Sequence, residues 1–473
     1  MEIIHVSAEC YPVAKAGGLG DVVGALPKYQ NQAGQIAKVV MPMYRTKFLF
    51  DNTWEVVHKS GSFLGHRWFD YTIIKEKTNK LGFDLYLVDI PGLLDREKIY
   101  SYDDDVERFT AFQIAVVDWM SVWRHRPDVV HVHDYHTSLI PFMMQHCFAY
   151  RHLSTVPVVL TIHNAQYQGW MGWERANYIP SWDSWTGGLL GWSGVINPLA
   201  AGIKCAWKVT TVSPNYLNEL RYNSNGLEAL FEYERGKCIG ILNGIDTKVW
   251  DPATDSYLDS HFDIKTFEKG KAANKKLLCD TFKLDVEKPL IIFIGRLVGE
   301  KAAELLPGAI GDSLYHIGTK MNFLVLGNGE WWIESQLESM KSVWMGFYNS
   351  KIGYNEKLSH QMYAGADFLL MPSRVEPCGL NQMYAMRYGT IPIVRSTGGL
   401  KDTVIDYESP DGYGVVFNDL SVGDITNAIF RALKIQDKPG KMNELKKKIM
   451  ALDFSWDKSA HEYIEVYESL QPA

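Results

Sequence analysis

Short apolar runs alternate with helix-like segments along most of the chain. A first series of runs occupies residues 3–6, 39–41, 85–88, 129–132, 158–162 and 208–212. A second series occupies residues 289–295, 323–326, 368–371, 391–394 and 414–417. Runs of this length, each followed by a helical pattern, are typical of buried strands in a parallel sheet with helices on both faces. The pattern therefore predicts an α/β protein built from two doubly wound sheets.

A polar stretch separates the two series. It follows Asn243-Gly244-Ile245-Asp246 and extends over residues 251–276. We predict an N-terminal Rossmann-like domain over residues 1–245, a C-terminal Rossmann-like domain over 246–455, and a final helix over 456–473 that packs back on the first domain. Ligands of such sheets bind at the carboxyl ends of the strands, so we expect the two domains to face each other across a binding cleft.

Composition excludes several classes of protein. With 46% hydrophobic and 22% charged residues the chain has globular values, and its net charge of −7 argues against nucleic acid or an anionic membrane as partner. The six cysteines show no metal-binding spacing, and no apolar run approaches the length of a membrane span. We expect a cytoplasmic protein with reduced thiols.

A glycine turn lies directly after the first apolar run, as Lys15-Ala16-Gly17-Gly18-Leu19-Gly20-Asp21. Glycines let backbone N–H groups approach an anion, and the helix that follows adds its positive dipole end. Neither the dinucleotide fingerprint nor the Walker loop is present. Taken alone, the turn is either a phosphate site with Lys15 as its cation or a plain glycine turn.

Two later loops resemble this one in kind. Arg296 and Lys301 follow the run at 289–295, and two cations there suit a departing diphosphate. The alternative is a surface pair in which Glu300 is the ionic partner. Ser396-Thr397-Gly398-Gly399-Leu400 follows another strand and offers further amide donors.

Glu376 opens a third loop, Glu376-Pro377-Cys378-Gly379-Leu380. A carboxylate repels phosphate, so it suits sugar hydroxyls or positive charge that develops at a carbon centre.

The run His131-Val132-His133-Asp134-Tyr135-His136 could bind a metal, but its strand end and loop favour a position along the cleft. His163 and Asn164 end another strand at the same edge and are candidates for contact with a sugar. Asp103-Asp104-Asp105 precedes a helical pattern, so we interpret it as a helix start and not as a metal site.

Aromatic residues are dense between residues 166 and 197. Aromatic faces suit sugar rings, and Tyr167 is the candidate we retain for sugar or acceptor contact. A loop that is merely pinned by its aromatic side chains is an equal alternative.

Together these motifs resemble bacterial glycogen synthases and plant starch synthases, which are retaining glycosyltransferases of the GT-B architecture. The motifs are Lys-x-Gly-Gly-Leu at 15–19, His-x-His-Asp at 131–134, Thr-Ile-His-Asn-x-x-Tyr-Gln-Gly at 161–169, Thr-Thr-Val-Ser-Pro at 210–214, and the segments at 243–246, 296–301, 376–380 and 396–400. They cover nearly the whole length in one order. The resemblance implies transfer of glucose from ADP-glucose to the non-reducing end of an α-1,4-glucan, with the N-terminal domain on the acceptor side.

The resemblance also implies roles for individual residues. Those assigned to the diphosphate, through side chains or backbone donors, are Lys15, Arg296, Lys301, Gly18, Thr397, Gly398, Gly399 and Leu400. Those expected at the rest of the donor are Asp21, Asn243, Tyr354, Cys378, Gly379 and Leu380. Those expected at the transferred sugar or the acceptor are His163, Glu376, Asp134, Asn164 and Tyr167. No metal and no cofactor is implied, because the nucleotide-sugar is a substrate.

Three positions depart from the family pattern. Ala16 stands where threonine or valine is usual, Ala302 where glycine is usual, and Asn381 where threonine is common. Tyr384 stands where the wider superfamily has a second glutamate, as it does in the glycogen-synthase branch. Without a second carboxylate, we expect front-face substitution, in which the leaving diphosphate helps to deprotonate the acceptor.

Two alternatives stay open at this level. The donor could be UDP-glucose or another nucleotide-sugar, and the protein could be a catalytically silent glucan-binding protein.

Overall fold

The computed structural model describes residues 1–472 and divides into two compact units. The first contains residues 1–244 and the segment that begins at Trp456, and the second contains Ile245–Ser455.

The strands before the second unit are β1 (Glu2–Val6), β2 (Ile36–Pro42), β3 (Trp54–Leu64), β4 (Arg67–Glu76), β5 (Asp84–Asp89), β6 (Val129–His133), β7 (Val158–Ile162), β8 (Gly191–Trp192), β9 (Val195–Ile196), β10 (Lys208–Thr211) and β11 (Cys238–Gly240). The α-helices of this segment are α1 (Gly18–Gln32), α2 (Lys47–Asp51), α3 (Asp105–Ser121), α4 (Ile140–His146), α5 (Pro198–Cys205), α6 (Pro214–Leu220) and α7 (Glu228–Tyr233).

The strands of the second unit are β12 (Leu290–Leu297), β13 (Asn322–Gly329), β14 (Tyr348–Ile352), β15 (Phe368–Met371), β16 (Ile391–Arg395) and β17 (Val415–Phe417). Its α-helices are α8 (Phe267–Phe282), α9 (Leu306–His316), α10 (Trp331–Val343), α11 (Glu356–Gly365), α12 (Asn381–Arg387), α13 (Gly398–Thr403), α14 (Val422–Gln436) and α15 (Lys441–Met450). The chain then returns to the first unit as α16 (Trp456–Glu468).

The main sheet of the first unit has the order β11-β10-β7-β6-β1-β2-β5-β4-β3. Its strands pair in parallel from β11 to β5, and the β3–β4 hairpin adds two antiparallel strands at one edge. The order in which strands are added along the sheet reverses between β1 and β6, since β2 lies on one side of β1 and β6 on the other. The carboxyl ends of these two strands are therefore the point at which a doubly wound sheet binds its ligand.

The sheet of the second unit is entirely parallel and has the order β14-β13-β12-β15-β16-β17. This is the order of dinucleotide-binding Rossmann folds, and its reversal lies between β12 and β15. Both sheets thus confirm the predicted doubly wound α/β class. Their apolar side chains are buried, and the carboxyl ends of the central strands carry the polar loops.

Helix α16 belongs to the core of the first unit. Trp456, Tyr463 and Tyr467 are buried in one cluster with Val22 and Leu26 of α1. The helix therefore supplies both apolar packing and, through the Tyr467 hydroxyl, polar contacts described below.

One of the strands missed by the sequence pattern, β3, has little buried surface. Only its last residue is buried, and its exposed side chains include Val56 and Phe63. A strand of that kind has no continuous apolar run to find. By contrast, the acidic run at 103–105 does begin helix α3 at Asp105, as expected.

No helix within residues 1–472 combines the length and the apolar character needed to cross a membrane.

Candidate active site

A short ion pair lies at the reversal point of the second unit. The Lys301 ammonium lies 2.7 Å and 2.6 Å from the two carboxylate oxygens of Glu376. Lys301 stands in a helical turn just after β12, and Glu376 in the loop after β15, so the two neighbouring strand ends bring them together. Glu376 is buried and Lys301 is partly exposed. The pair thus presents a cation at the surface that is anchored on a buried carboxylate.

Further bonds fix the Glu376 carboxylate and its loop. The Ser373 hydroxyl donates to Glu376 at 2.8 Å. The amides of Arg374 and Val375 donate to the Glu300 carbonyl at 2.9 and 3.1 Å. Arg374 also donates to the Gly299 carbonyl and pairs with Glu304. The loops after β12 and β15 therefore form one hydrogen-bonded block.

Arg296 does not share this pair. Its guanidinium is 3.1 Å from Glu300, and about half of its side chain is exposed. This is the surface pair that the sequence allowed as the alternative to a diphosphate site. An exposed pair of this kind is worth at most about 1 kcal/mol, so Arg296 can exchange Glu300 for a ligand at little cost.

The glycines at 398–399 have a packing role in the second unit. Gly398 has φ of +47°, and a Cβ there would collide with the Glu376 carbonyl oxygen. A Cβ on Gly399 would collide with Cys378, and the Gly399 amide donates to the Glu376 carbonyl at 3.0 Å. The amides of Thr397 and Leu400 also donate within the chain. The glycines therefore allow close packing of α13 on the Glu376 loop, and the role of these amides at a diphosphate stays a prediction.

The remaining predicted donor residues of this unit lie around the same block. Cys378 is buried, Gly379 has φ of +74°, and Leu380 leads into α12. The Asn381 side chain donates to the Ile294 carbonyl of β12 at 2.7 Å, so it ties the helix to the sheet. Tyr354 follows β14 and is three-quarters exposed.

Tyr384, which stands where the wider superfamily has a second glutamate, has a packing role in this unit. Its ring stacks on Trp250 with centroids 3.7 Å apart, and the other face of Trp250 stacks on His360 at 3.8 Å. Trp250 is the seventh residue after Asn243. The aromatic side chain thus anchors the incoming segment on α12.

Asp134 lies at the reversal point of the first unit, just after β6. It has φ of +57°, and one carboxylate oxygen accepts the His163 amide at 2.7 Å. Burial raises the pKa of Asp134 to about 7, against the opposing effect of amide bonds from His163 and Asn164. A carboxyl group with a pKa near neutrality at a strand end is a candidate for sugar hydroxyls or proton transfer.

The glycine turn after β1 is organised around a carboxylate of the protein itself. Glu9 accepts the amides of Ala16 and Gly17 at 2.8 and 3.0 Å, and the Tyr100 hydroxyl at 2.6 Å. Burial raises the pKa of Glu9. Two backbone amides of the glycine turn therefore bind Glu9, and the Gly18 amide is not one of them.

The predicted cation of this turn pairs with the predicted nucleoside contact. Lys15 is 2.7 Å from Asp21, and both side chains are partly exposed. Gly18 is the first residue of α1. The diphosphate role of Lys15 and Gly18 stays a prediction.

His5, His131 and His133 form a buried cluster whose ring nitrogens lie within 4.8 Å of one another. His5 and His131 are paired between β1 and β6, and His133 lies two residues further on the same face. Every ring nitrogen has a protein partner: His5 contacts Gln30 and His133, His131 contacts Tyr467 and Thr161, and His133 also contacts His163. Burial lowers the pKa of all three below the ordinary value. The cluster is a neutral hydrogen-bonded network and not a set of open metal ligands.

A cavity of about 300 Å³ lies in the first unit beside these strand ends. Its lining includes Tyr135, Tyr167, Trp170, Phe109 and Asp105. Tyr167 and Trp170 are each 53% exposed, so their rings face open space and not the core. An aromatic wall with a carboxylate at its edge suits the apolar face and the hydroxyls of a sugar.

The aromatic-rich segment at 166–197 has features of both alternatives, a surface open to a sugar and a loop pinned by its own side chains. Trp185 is fully open to solvent, whereas the Trp192 indole donates to the Gly226 carbonyl at 2.8 Å. The buried Gln168 amide accepts from Trp170 and Asn197 and donates to the Ala165 carbonyl. The loop is pinned from within and still presents aromatic faces outward.

The amide side chains of Asn164 and Asn243, both predicted to contact a ligand, differ in their contacts within the protein. Asn164 accepts the Gln166 amide at 3.0 Å and so shapes its own turn. Asn243 is buried, and among the described residues its side-chain oxygen has no hydrogen-bond partner. A buried amide oxygen of this kind fits the ligand contact predicted for Asn243.

Sequence reasoning missed several residues of these sites. They are Glu9, Gln30, Ser373, Arg374 and Tyr467. Ser373 and Glu9 could have been found as polar residues directly after strands. Gln30 and Tyr467 carry no such signal, because only packing of α1 and α16 on the sheet brings them to the histidines.

Two doubly wound units, each with polar and charged groups at the reversal point of its sheet, are typical of glycosyltransferases of the GT-B class. The comparisons with known proteins agree. Residues 2–233 match the starch synthase catalytic domain model, and residues 278–449 match the model of glycosyl transferases group 1.

Individual relatives match over the whole chain. A glycogen synthase of Flavobacterium johnsoniae is 52% identical over 99% of this chain and 98% of its own, and one of a Hydrogenobaculum species is 37% identical over 99% and 98%. The solved catalytic domain of starch synthase IV from Arabidopsis thaliana, bound to ADP and acarbose, has a TM-score of 0.90 with 31% identity, and covers 99% of both chains. The chain therefore belongs to the glycogen and starch synthase family, and it is a glucosyltransferase.

Proposed function

We propose that this enzyme transfers glucose from ADP-glucose to the non-reducing end of an α-1,4-glucan with retention of configuration. The observation that carries the proposal is the Lys301–Glu376 pair at the reversal point of the second unit. In this proposal Lys301 is the cation for the leaving diphosphate, and the Glu376 carboxylate beside it stabilises positive charge at the sugar carbon. The ADP bound to the Arabidopsis relative supports the choice of nucleotide, because ADP remains when ADP-glucose loses its glucose.

In the proposed reaction the bond from the glucose C1 to the diphosphate oxygen breaks, and a bond from C1 to the acceptor O4 forms on the same face. The O4 proton passes to the departing diphosphate, which leaves as ADP. Lys301 and Arg296 neutralise the charge that grows on the diphosphate. Glu376 is held by Ser373 and Lys301 and acts electrostatically, without forming a covalent bond.

In the first unit we propose that His163 and Asp134 contact the transferred glucose and that Tyr167 contacts the acceptor. Asp134 and His163 are joined by a 2.7 Å bond, and Tyr167 lines the aromatic cavity.

A panel of donors against one glucan tests the proposal. The protein is incubated with glycogen and radiolabelled ADP-, UDP- or GDP-glucose, and polymer-bound label is counted. ADP-glucose should give the fastest incorporation, and NMR of the product should show new α-1,4 bonds. Faster incorporation from UDP-glucose would overturn the donor assignment. Glycogen binding without label from any donor would mean a glucan-binding protein and would overturn the enzyme assignment.

A further inference from the structure

His163 stands at the end of a buried row of hydrogen bonds that starts on helix α1. His163 Nε2 is 3.0 Å from His133 Nδ1, and His133 Nε2 is 3.0 Å from His5 Nδ1. His5 Nε2 is in turn 2.7 Å from Gln30 Oε1. All four side chains are buried. The row therefore joins β7, β6, β1 and α1 through polar contacts that water does not reach.

Burial fixes the charge state of the row. It lowers the pKa of His163 to about 3 and that of His5 to about 4, and it also lowers the pKa of His133. Each imidazole is therefore neutral at pH 7, with one N–H donor and one nitrogen lone pair. In a row of such rings every N–H points the same way along the row, so only two arrangements of the protons are possible. The group at the end of the row decides which arrangement occurs.

Gln30 is that group. Its Oε1 can only accept, so His5 donates from Nε2 and accepts at Nδ1. His133 must then donate from Nε2 to His5 and accept at Nδ1. His163 must donate from Nε2 to His133, which leaves the lone pair on its Nδ1.

A second row of hydrogen bonds begins at the nitrogen of the same Gln30 amide. Gln30 Nε2 donates to the Tyr467 hydroxyl at 2.9 Å. That hydroxyl has one proton, which it donates to His131 Nδ1 at 2.6 Å, and His131 Nε2 then donates to Thr161 Oγ1 at 2.6 Å. Turning the amide would reverse both rows at once. One side chain on α1 thus sets the proton position on a ring three strands away.

We propose that His133, His5 and Gln30 are positioning residues that hold His163 in its Nε2–H tautomer. In that state Nδ1 accepts a hydrogen bond from a hydroxyl of the transferred glucose, and this step rests on the proposed function. Nδ1 is available for it, since no protein group within residues 1–472 bonds to that nitrogen.

Substitutions of His133 provide the test. His133→Leu removes the acceptor for His163, whereas His133→Asn keeps an acceptor oxygen near the Nδ1 position. We expect kcat to fall about tenfold or more in His133→Leu, with less than about a twofold change in the KM for ADP-glucose. His133→Asn should recover a large part of kcat. Gln30→Met should cause a smaller loss, of about threefold, because it acts through two rings.

The tautomer itself is read by ¹⁵N NMR of histidine-labelled protein, with the His163 signals identified by their loss in His163→Gln. The wild type should show a protonated Nε2 and a bare Nδ1, and His133→Leu should show a mixture of tautomers. His360→Leu is the matched control, because it removes an equally buried histidine from the second unit. It should leave the His163 signals unchanged whatever it does to the unfolding temperature.

Two results would overturn the inference. One is a wild-type His163 that carries its proton on Nδ1. The other is a folded His133→Leu with wild-type kcat, whether or not the tautomer changes. The NMR measurement needs no substrate, so failure of the wild type to transfer glucose would overturn the proposed function and leave the tautomer result standing.

Discussion

The two candidate sites occupy equivalent places in their sheets and are built in opposite ways. In the first unit the strand ends carry neutral imidazoles and carboxyl groups of raised pKa, such as Glu9 and Asp134. In the second unit, charges are paired, as in Lys301–Glu376 and in Asp367 between Lys275 and Lys446. Burial alone would raise the pKa of Asp367, but the two lysines lower it well below its usual range. Among these groups, burial is thus tolerated by neutralisation in the first unit and by ion pairing in the second.

The largest difference should be seen on acidification. Five buried histidines of the first unit, His5, His131, His133, His136 and His163, have pKa values lowered by burial. Their stabilisation is complete above pH 6.5 and is lost as pH falls toward the folded pKa values, at about 1.4 kcal/mol per pH unit for each group. Glu9 and Asp134, with raised pKa values, offset part of this loss. Between pH 7 and pH 5 we expect the first unit to lose several kcal/mol.

Calorimetry at pH 7.5 and pH 5.0, with hydrogen exchange to locate the transition, measures this difference. Amides of β1, β6 and β7 should lose protection first, while those of β12 and β15 keep it until the paired carboxylates begin to protonate below about pH 4. A uniform loss in both units would contradict the comparison.

Removing the cation of the second unit should have the next largest effect. Lys301→Ala leaves Glu376 buried without its counter-charge and withdraws a cation from the diphosphate. We expect turnover to fall about 10²- to 10³-fold. Lys275→Ala is a matched control, because it removes a lysine from the same unit while Asp367 keeps Lys446. Steady-state kinetics with ADP-glucose measure both, and near wild-type turnover in Lys301→Ala would refute the proposed role.

The raised pKa of Asp134 gives a third prediction. Its contribution lowers stability as pH rises, whereas the histidines lower stability as pH falls. A carboxyl group with a folded pKa of about 7 costs stability as pH rises from about 4 to 7. Asp134→Asn should remove this cost, of about 1.4 kcal/mol per pH unit, and so raise stability at pH 8 relative to pH 5. Unfolding in urea at several pH values would measure it. An unchanged pH dependence would mean that Asp134 titrates normally.

The smallest effect concerns the backbone of the second unit. Ala302 is buried with φ of +52° and ψ of +33°, a conformation that favours glycine. Ala302→Gly should stabilise the unit by about 1 kcal/mol and raise its melting temperature by about 2–4 °C. Ala303→Gly, at the neighbouring buried position, should lower it. Equal losses in both variants would show that the Ala302 methyl contributes more through packing than it costs in conformation.

Much of the fold could be predicted from periodicity. The central strands are apolar throughout, and the runs at 158–162 and 368–371 coincide with β7 and β15. Strand β3, with almost no buried residue, left no such signal. The predicted residues Glu376 and Lys301 do come together, but their mutual contact could not be predicted, since 75 positions separate them in the chain.

The sequence by itself determined the family, through its motifs and their order along the chain. It also determined the doubly wound class and the strand ends at which polar residues gather. Those properties follow from local patterns, because apolar periodicity and turn residues act over a few positions. Only the tertiary structure decided which groups are partners: Glu9 for the amides of the glycine turn, Glu376 for Lys301, and Gln30 and Tyr467 for the histidines. The reason is physical. Hydrogen bonds and ion pairs act over a few ångströms, and only the packing of helices on a closed sheet brings residues that are distant in the chain within that range.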